Sequence, residues 1–320
     1  ADPVPITLWY PAGRHSPAMC PAEITTPRKP ASGSPVAAAP GGNAELFKFL
    51  QKLINDMYED FELPGFPDVV MRLHRTLGDS NSSVREVVRL VSAEPSLSAK
   101  LLHLANSAAF NPGDRQISDL KSAITLLGFS LVRGTATTFA MRQLEQQAWL
   151  KPLQPHLTRI WKDSTGVAAI AYVTARRTEG MRPDEALVSG LLHQLGSLYV
   201  LTRAQKEGVS VGSAAEWSAT IADWHPTIAR AILENWGMPS HLGEAVESQD
   251  GLREGDPSEL PLLARVLASS KLYQLVLQKA EGAEDARITL GNVRFGNQPF
   301  LELIGAAHAD IEAVGKVIGQ

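Results

Sequence analysis

Apolar residues recur at three- and four-residue spacing from Asn43 onward, the pattern of helices that each bury one face. Leu46, Phe49, Leu50, Leu53, Ile54 and Met57 share one such face. Ser82 or Ser83 followed by Glu86 has the form of an N-cap with an acidic first turn. Pro95 can open a helix through Leu97, Leu101, Leu102, Leu104 and Ala105, which the Asn106-Ser107 pair and the Asn111-Pro112-Gly113 turn would end. Further helices are predicted over 118–127, with Gly128 as the stop, and over 131–150, 156–177, 184–205, 224–236, 240–248, 259–279 and 300–315. Alternating β-branched runs are scarce, so the fold class is all-α, with at least ten helices and short connections. Ala148 to Pro155 carries two prolines and divides this array into an N-terminal helical half, 45–150, and a second half, 155–315. No fixed period suggests a solenoid.

Residues 1–44 break the pattern, for they hold nine of the 21 prolines and are nearly all Pro, Ala, Ser and Gly from Pro27 to Gly42. Such a stretch has few side chains to offset its ordering entropy and reads as a tail or linker. Within it Ile6-Thr7-Leu8-Trp9-Tyr10 could dock on the body or remain unstructured. The 320-residue chain is 44% apolar, enough for a real core. Its 30 basic and 34 acidic residues leave a net charge of −4, which gives no electrostatic reason to expect nucleic acid or anionic lipid as the main partner. One cysteine, Cys20, excludes a disulfide framework or a Cys-rich cluster. No apolar run approaches the roughly 18 residues that cross a bilayer, so a membrane partner is not expected.

Eight histidines and many acids make a metal-assisted hydrolase a reading to weigh. At 100° per residue, Leu187, Leu191, Leu195, Leu198 and Leu201 occupy one sector of the 184–205 helix, and Val188, Leu192 and Tyr199 extend the apolar surface. His193-Gln194 therefore falls where polar groups must find partners. It is either a metal ligand or proton carrier in a cavity, or a satisfied core pair. Asp163 shares a face with Val167, Ile170 and Thr174, and His225 precedes Ile228, Ile232 and Trp236 at a predicted helix start marked by Pro226. The three could form an eroded site or a network that ties helices together.

At these residues the chain resembles the HDOD family, a regulatory relative of the HD-domain phosphohydrolases. The resemblance runs through Leu63-Pro64-Gly65-Phe66-Pro67, Ala93 to Phe110, Ala123 to Gly128, Trp161-Lys162-Asp163-Ser164, Gly190-Leu191-Leu192-His193-Gln194-Leu195-Gly196 and Trp236-Gly237-Met238-Pro239. It implies a compact multi-helix fold, with an N-terminal helical half packed on a degenerate HD-like half. In the catalytic relatives a histidine, a His-Asp pair and a later aspartate hold one or two divalent ions that activate water against a phosphate ester. Here Asp163 matches the first histidine, His193 keeps the second, and Gln194 stands for its acidic partner. The later aspartate falls near Ser269-Ser270, and the histidines expected around Glu247-Ser248-Gln249 are absent while His225 remains.

Each departure removes charge or donor strength from a dication site. The expectation is a noncatalytic, cytoplasmic signal-transduction module that acts through contacts with signalling or regulatory proteins, without cofactor, metal, nucleic acid or membrane. Asp163, His193 and His225 are then vestigial ligands. The alternative is a divalent-metal-dependent phosphohydrolase or phosphodiesterase with a rearranged site. Asn106 is either a loop anchor or a partner contact, Phe110 packing or recognition, and Gln194 a structural substitute among leucines. Trp161, Trp217, Trp224 and Trp236 are expected as helix anchors.

Overall fold

A computed structural model describes residues 48–53, 56, 63–79, 81–113, 115–209, 214–253 and 255–319, the side chains of 214–220 excepted. The expectations for 1–44, for Leu46, Ile54 and Met57, and for the Trp217 side chain lie outside the described residues.

The N-terminal half is built as its sequence signals suggest. Helix α1 (Asp68–Gly78) follows Leu63-Pro64-Gly65-Phe66-Pro67, where Gly65 turns the chain at φ 80°. Its carbonyl accepts from Gln147 Nε2 at 2.8 Å, and a Cβ on Gly65 would meet Leu144 at 2.6 Å, so only glycine brings this turn onto the next long helix. Helix α2 (Val84–Ser92) opens with a capping box: Ser83 Oγ accepts from the Glu86 amide, and the Glu86 carboxylate accepts from the Ser83 amide. Helix α3 (Pro95–Ala105) begins at its proline and buries Leu97, Leu101, Leu104 and Ala105.

Helix α4 (Leu120–Glu145) is capped by the Asp119 carboxylate and broken at Gly128, whose φ of 75° and ψ of 162° leave helical space. The two predicted helices are thus contiguous around one break, and the second ends at Glu145 rather than at 150. A short 3-10 turn (Ala148–Leu153) joins the halves. Contrary to the sequence expectation, α4 is long and apolar enough to cross a membrane, the one such helix among the described residues. Of that apolar window 72% is buried against other helices, which makes it a core element.

The second half holds α5 (Gln154–Arg176), α6 (Pro183–Leu192), α7 (Leu195–Glu207), α8 (Ala214–Asn235), α9 (Ser240–Glu247), α10 (Leu262–Gln278) and α11 (Ala283–Gly291). A two-residue antiparallel hairpin, β1 (Arg294–Phe295) and β2 (Gln298–Pro299), leads to α12 (Phe300–Gly305) and α13 (His308–Gly319). The predicted helices 184–205 and 300–315 each prove to be two, and α8 starts ten residues earlier than the predicted 224. Helix α5 is central: α6, α10 and α13 pack along it, while α7 packs on α8 and α8 on α9.

A buried polar cluster joins the halves. His74 on α1 lies 2.8 Å from the Thr137 hydroxyl and stacks on Trp236 with ring centroids 4.3 Å apart. Arg133, buried on α4, donates to the Gly237 carbonyl at 3.1 Å and to Met238 Sδ at 2.9 Å. Burial, aided by the Arg133 charge, pushes His74 down to about 3, so its ring is neutral. Trp161, also buried, is flanked by Lys100 and Arg142 over its ring.

Candidate functional site

The His193-Gln194 pair sits at a corner between α6 and α7, not inside a helix. Two glycines explain that corner. A Cβ on Gly190 would lie 2.5 Å from the Ala168 Cα on α5, and a Cβ on Gly196 would lie 2.0 Å from the His225 carbonyl oxygen on α8. Backbone stands in the way at both places, so glycine alone lets α6 press on α5 and α7 on α8. The corner gives α7 its own axis and carries Gln194 toward solvent. The leucines on either side belong to two helices, and the continuous apolar cylinder read from the sequence does not exist.

His193 is 1% exposed, and its Nδ1–H donates to the Gly190 carbonyl at 2.8 Å, satisfying the last turn of α6. Burial first, then the Lys271 charge, pushes the ring down to about 4, so it is neutral. Gln194 is half-buried and lines a cleft, which corrects its expected place among Leu191, Leu195 and Leu198. Asp163, likewise expected against apolar neighbours, faces the same cleft; it accepts from Gln278 Nε2 at 2.8 Å and lies 3.7 Å from the Arg159 guanidinium.

His225 lies within α8, one residue before Pro226, rather than at a helix start. Its Nδ1 is buried without a hydrogen-bond partner, and burial, with Lys271 and His193 nearby, pushes the ring down to about 3. The cleft has a volume of about 1400 Å³, and Asp163, Gln194, His225, Asp250 and Lys271 line it together. Two of the three vestigial candidates, Asp163 and His225, thus share one cleft with Gln194, while His193 is buried and does not line it.

Sequence reasoning missed Lys271 and Asp250. The Lys271 ammonium lies 2.6 Å from the Asp250 carboxylate and donates to Gln249 Oε1 at 3.1 Å. Gln249, 1% exposed, then uses its Nε2 to donate to the carbonyls of His193 at 3.2 Å and Val246 at 2.8 Å. Burial opposes ionisation of Asp250, but the Lys271 ammonium outweighs it and holds the carboxyl below its ordinary range. Burial also lowers Lys271, against the pull of Asp250. A lysine directly after Ser269-Ser270 on an otherwise apolar helix was the available signal.

A divalent metal does not fit this donor set. The His193 ring is buried and does not line the cleft; Gln194 offers a neutral amide; Ser270 bonds the Val266 carbonyl; and an ammonium holds the Asp250 carboxylate. Among the described residues no group of three His, Cys, Asp or Glu side chains is placed to share one ion.

Asn106 and Phe110 lie away from the cleft. Asn106 Nδ2 donates to the carbonyls of Leu102 and Ile117, and its Oδ1 accepts from the Ile117 amide at 2.7 Å, so one carboxamide ties the end of α3 to the start of α4. Phe110 is half-buried against Tyr172 at 5.0 Å, and the Tyr172 hydroxyl donates to the Ala109 carbonyl.

Fold and cleft together define an all-α protein whose second half carries a cleft lined by Asp163, Gln194, His225, Asp250 and Lys271. The HDOD domain pattern matches residues 63–252, more than half of the chain, and the protein belongs to the HDOD family. An uncharacterized protein of Treponema pallidum (strain Nichols) is 21% identical over 217 residues, 64% of this chain and 41% of the relative, so the chain spans about two-fifths of that curated relative's length. A structure from Shewanella amazonensis SB2B, provisionally named a metal-dependent phosphohydrolase, is similar at a TM-score of 0.66 and 22% identity, over 86% of this chain and 99% of its own. An HDOD domain protein of unknown function from Geobacter sulfurreducens is similar at a TM-score of 0.52 and 22% identity, over 85% and 98%. At these identities the likeness is one of fold.

Proposed function

We propose that this protein is a regulatory HDOD module that hydrolyses nothing and acts in signal transduction through contacts with other signalling or regulatory proteins. The observation that carries the reading is the make-up of the cleft, where Gln194 stands at the paired-acid position and the Lys271 ammonium sits 2.6 Å from Asp250. His193 is buried and is not among the residues that line the cleft. The signature residues around it are accounted for by packing, since Gly190 and Gly196 admit neighbouring backbones and Gln249 holds the corner from outside. Contact surfaces are then the remaining route to function, and a cytoplasmic setting fits partners of that kind. The acidic balance of the whole chain supports protein partners over nucleic acid.

The test is turnover. Purified protein is assayed on phosphodiester and nucleotide substrates with manganese or magnesium, and no turnover above buffer is expected. Robust turnover that His193→Ala abolishes while the fold is kept would establish the metal-dependent phosphohydrolase instead.

A further inference from the structure

The cleft contains a cation of its own, the Lys271 ammonium. We propose that Lys271 is the resident cation of the cleft, an ammonium that supplies fixed positive charge where a divalent ion would otherwise be held and so closes the site to metal. Three observations place it there. Lys271 lies on α10 one residue beyond Ser269-Ser270, so its side chain enters the cleft beside His225, Gln194 and Asp163. Its ammonium is 2.6 Å from Asp250, whose carboxylate is one of the hard donors that line the cleft. It also donates to Gln249, and through the far end of that amide it is wired to the His193 carbonyl.

The physical consequence is competition. A dication arriving at Asp250 must displace an ammonium from the same carboxylate, and while the ammonium stays close the two positive charges repel at short range in a poorly screened place. A lysine suits this task because it is a compact point charge on a flexible stem with three donors. Restoring an acid at position 194 alone leaves the cleft with its occupant. The inference deepens the noncatalytic reading, but it concerns metal affinity rather than turnover, and the two can fail separately.

Manganese binding to the full chain is followed by loss of the free-ion electron paramagnetic resonance signal and by thermal unfolding. Wild type, Lys271→Arg, Lys271→Met, Lys271→Gln and Lys271→Met/Asp250→Asn are compared. Wild type and Lys271→Arg, which keeps the charge, are expected to leave the free-ion signal at its buffer value. Lys271→Met or Lys271→Gln is expected to bind manganese about tenfold more tightly than wild type or better, with a matching rise in Tm, and Asp250→Asn to cancel the gain. Lys271→Gln serves if the methionine variant does not fold. Stoichiometric binding by wild type would overturn the proposal, and so would folded Lys271→Met and Lys271→Gln proteins that bind no better than wild type. Either result is read without any substrate, so it is separate from the turnover test.

Discussion

Two buried histidine clusters in this molecule share an inventory and differ in what surrounds it. At the joint between the halves, His74 stacks on Trp236 beside Arg133, and the guanidinium has only a carbonyl and a thioether for its contacts. At the cleft, His193 and His225 lie beside Lys271, and the ammonium has a carboxylate. Both clusters keep their rings neutral by burial with a cation close by. At the joint His74, Arg133 and Trp236 are all buried, and the cluster serves packing. The cleft opens to solvent and holds an ion pair between Lys271 and Asp250. Burial alone therefore does not separate a structural histidine from an eroded catalytic one; the nearest charge and the nearest cavity do.

The largest contrast is expected from glycine substitutions. Gly196→Ala drives a Cβ into the His225 carbonyl, with backbone on both sides and no flexible side chain to yield, so a loss of about 3 kcal/mol or more, or failure to fold, is expected. Gly78→Ala at the joint meets Gly237 at 3.4 Å, an ordinary contact, and is expected to change stability by less than about 1 kcal/mol. Urea unfolding of the two variants reads the difference, and equal losses would show that the corner at His193 is no tighter than the joint.

The cations come next. Lys271→Met in chelator leaves Asp250 partly buried without its partner and is expected to cost about 1–2 kcal/mol, a figure moderated by the exposure of the carboxylate. Arg133→Met removes a buried charge that has no acid, so a cost below about 1 kcal/mol is expected even though the Gly237 carbonyl loses a donor. A larger loss from Arg133→Met would reverse the ranking of the two clusters.

Acid titration acts on both clusters together. The unfolded chain takes protons on these histidines near pH 6.5, whereas the folded chain takes them near 4 at His193 and near 3 at His74 and His225. The unfolded state binds more protons across that interval. The stability these rings contribute is whole above pH 6.5 and falls steadily as the pH drops toward 4 and 3. Urea midpoints from pH 7.5 to 4.5 should decline with a slope that His74→Phe reduces by about one proton at most. A flat profile would mean that the rings take up protons in the fold as they do in the unfolded chain.

The smallest effect separates the corner from the helix read in the sequence. Gln194→Asp, placed at the cleft beside Lys271 rather than among leucines, is expected to move stability by about 0.5 kcal/mol or less. A loss several times larger would return Gln194 to the core.

Most helices were legible because their faces repeat and their ends carry local signals, as with the Ser83 capping box, Pro95 and Gly128. The corner at His193 was not, because its apolar spacing continues in register through the break. What enforces the break is the approach of α5 and α8 to Gly190 and Gly196, a contact between residues far apart in sequence. The gathering of Asp163, Gln194 and His225 at one cleft was readable in outline from their faces and from the family resemblance. Lys271 was not, since an isolated lysine on an apolar helix ordinarily extends its head to solvent, and its partner Asp250 lies on a polar turn 21 residues away.

The central claim is that the cleft has exchanged metal chemistry for its own ion pair. A crystal structure of wild type grown with manganese, with diffraction recorded on both sides of the manganese absorption edge, tests it most directly. The expected result is no anomalous peak within bonding distance of Asp163, His193, His225 or Asp250, with the Lys271 ammonium still against Asp250. A peak shared by two of those side chains, with Lys271 displaced, would contradict it.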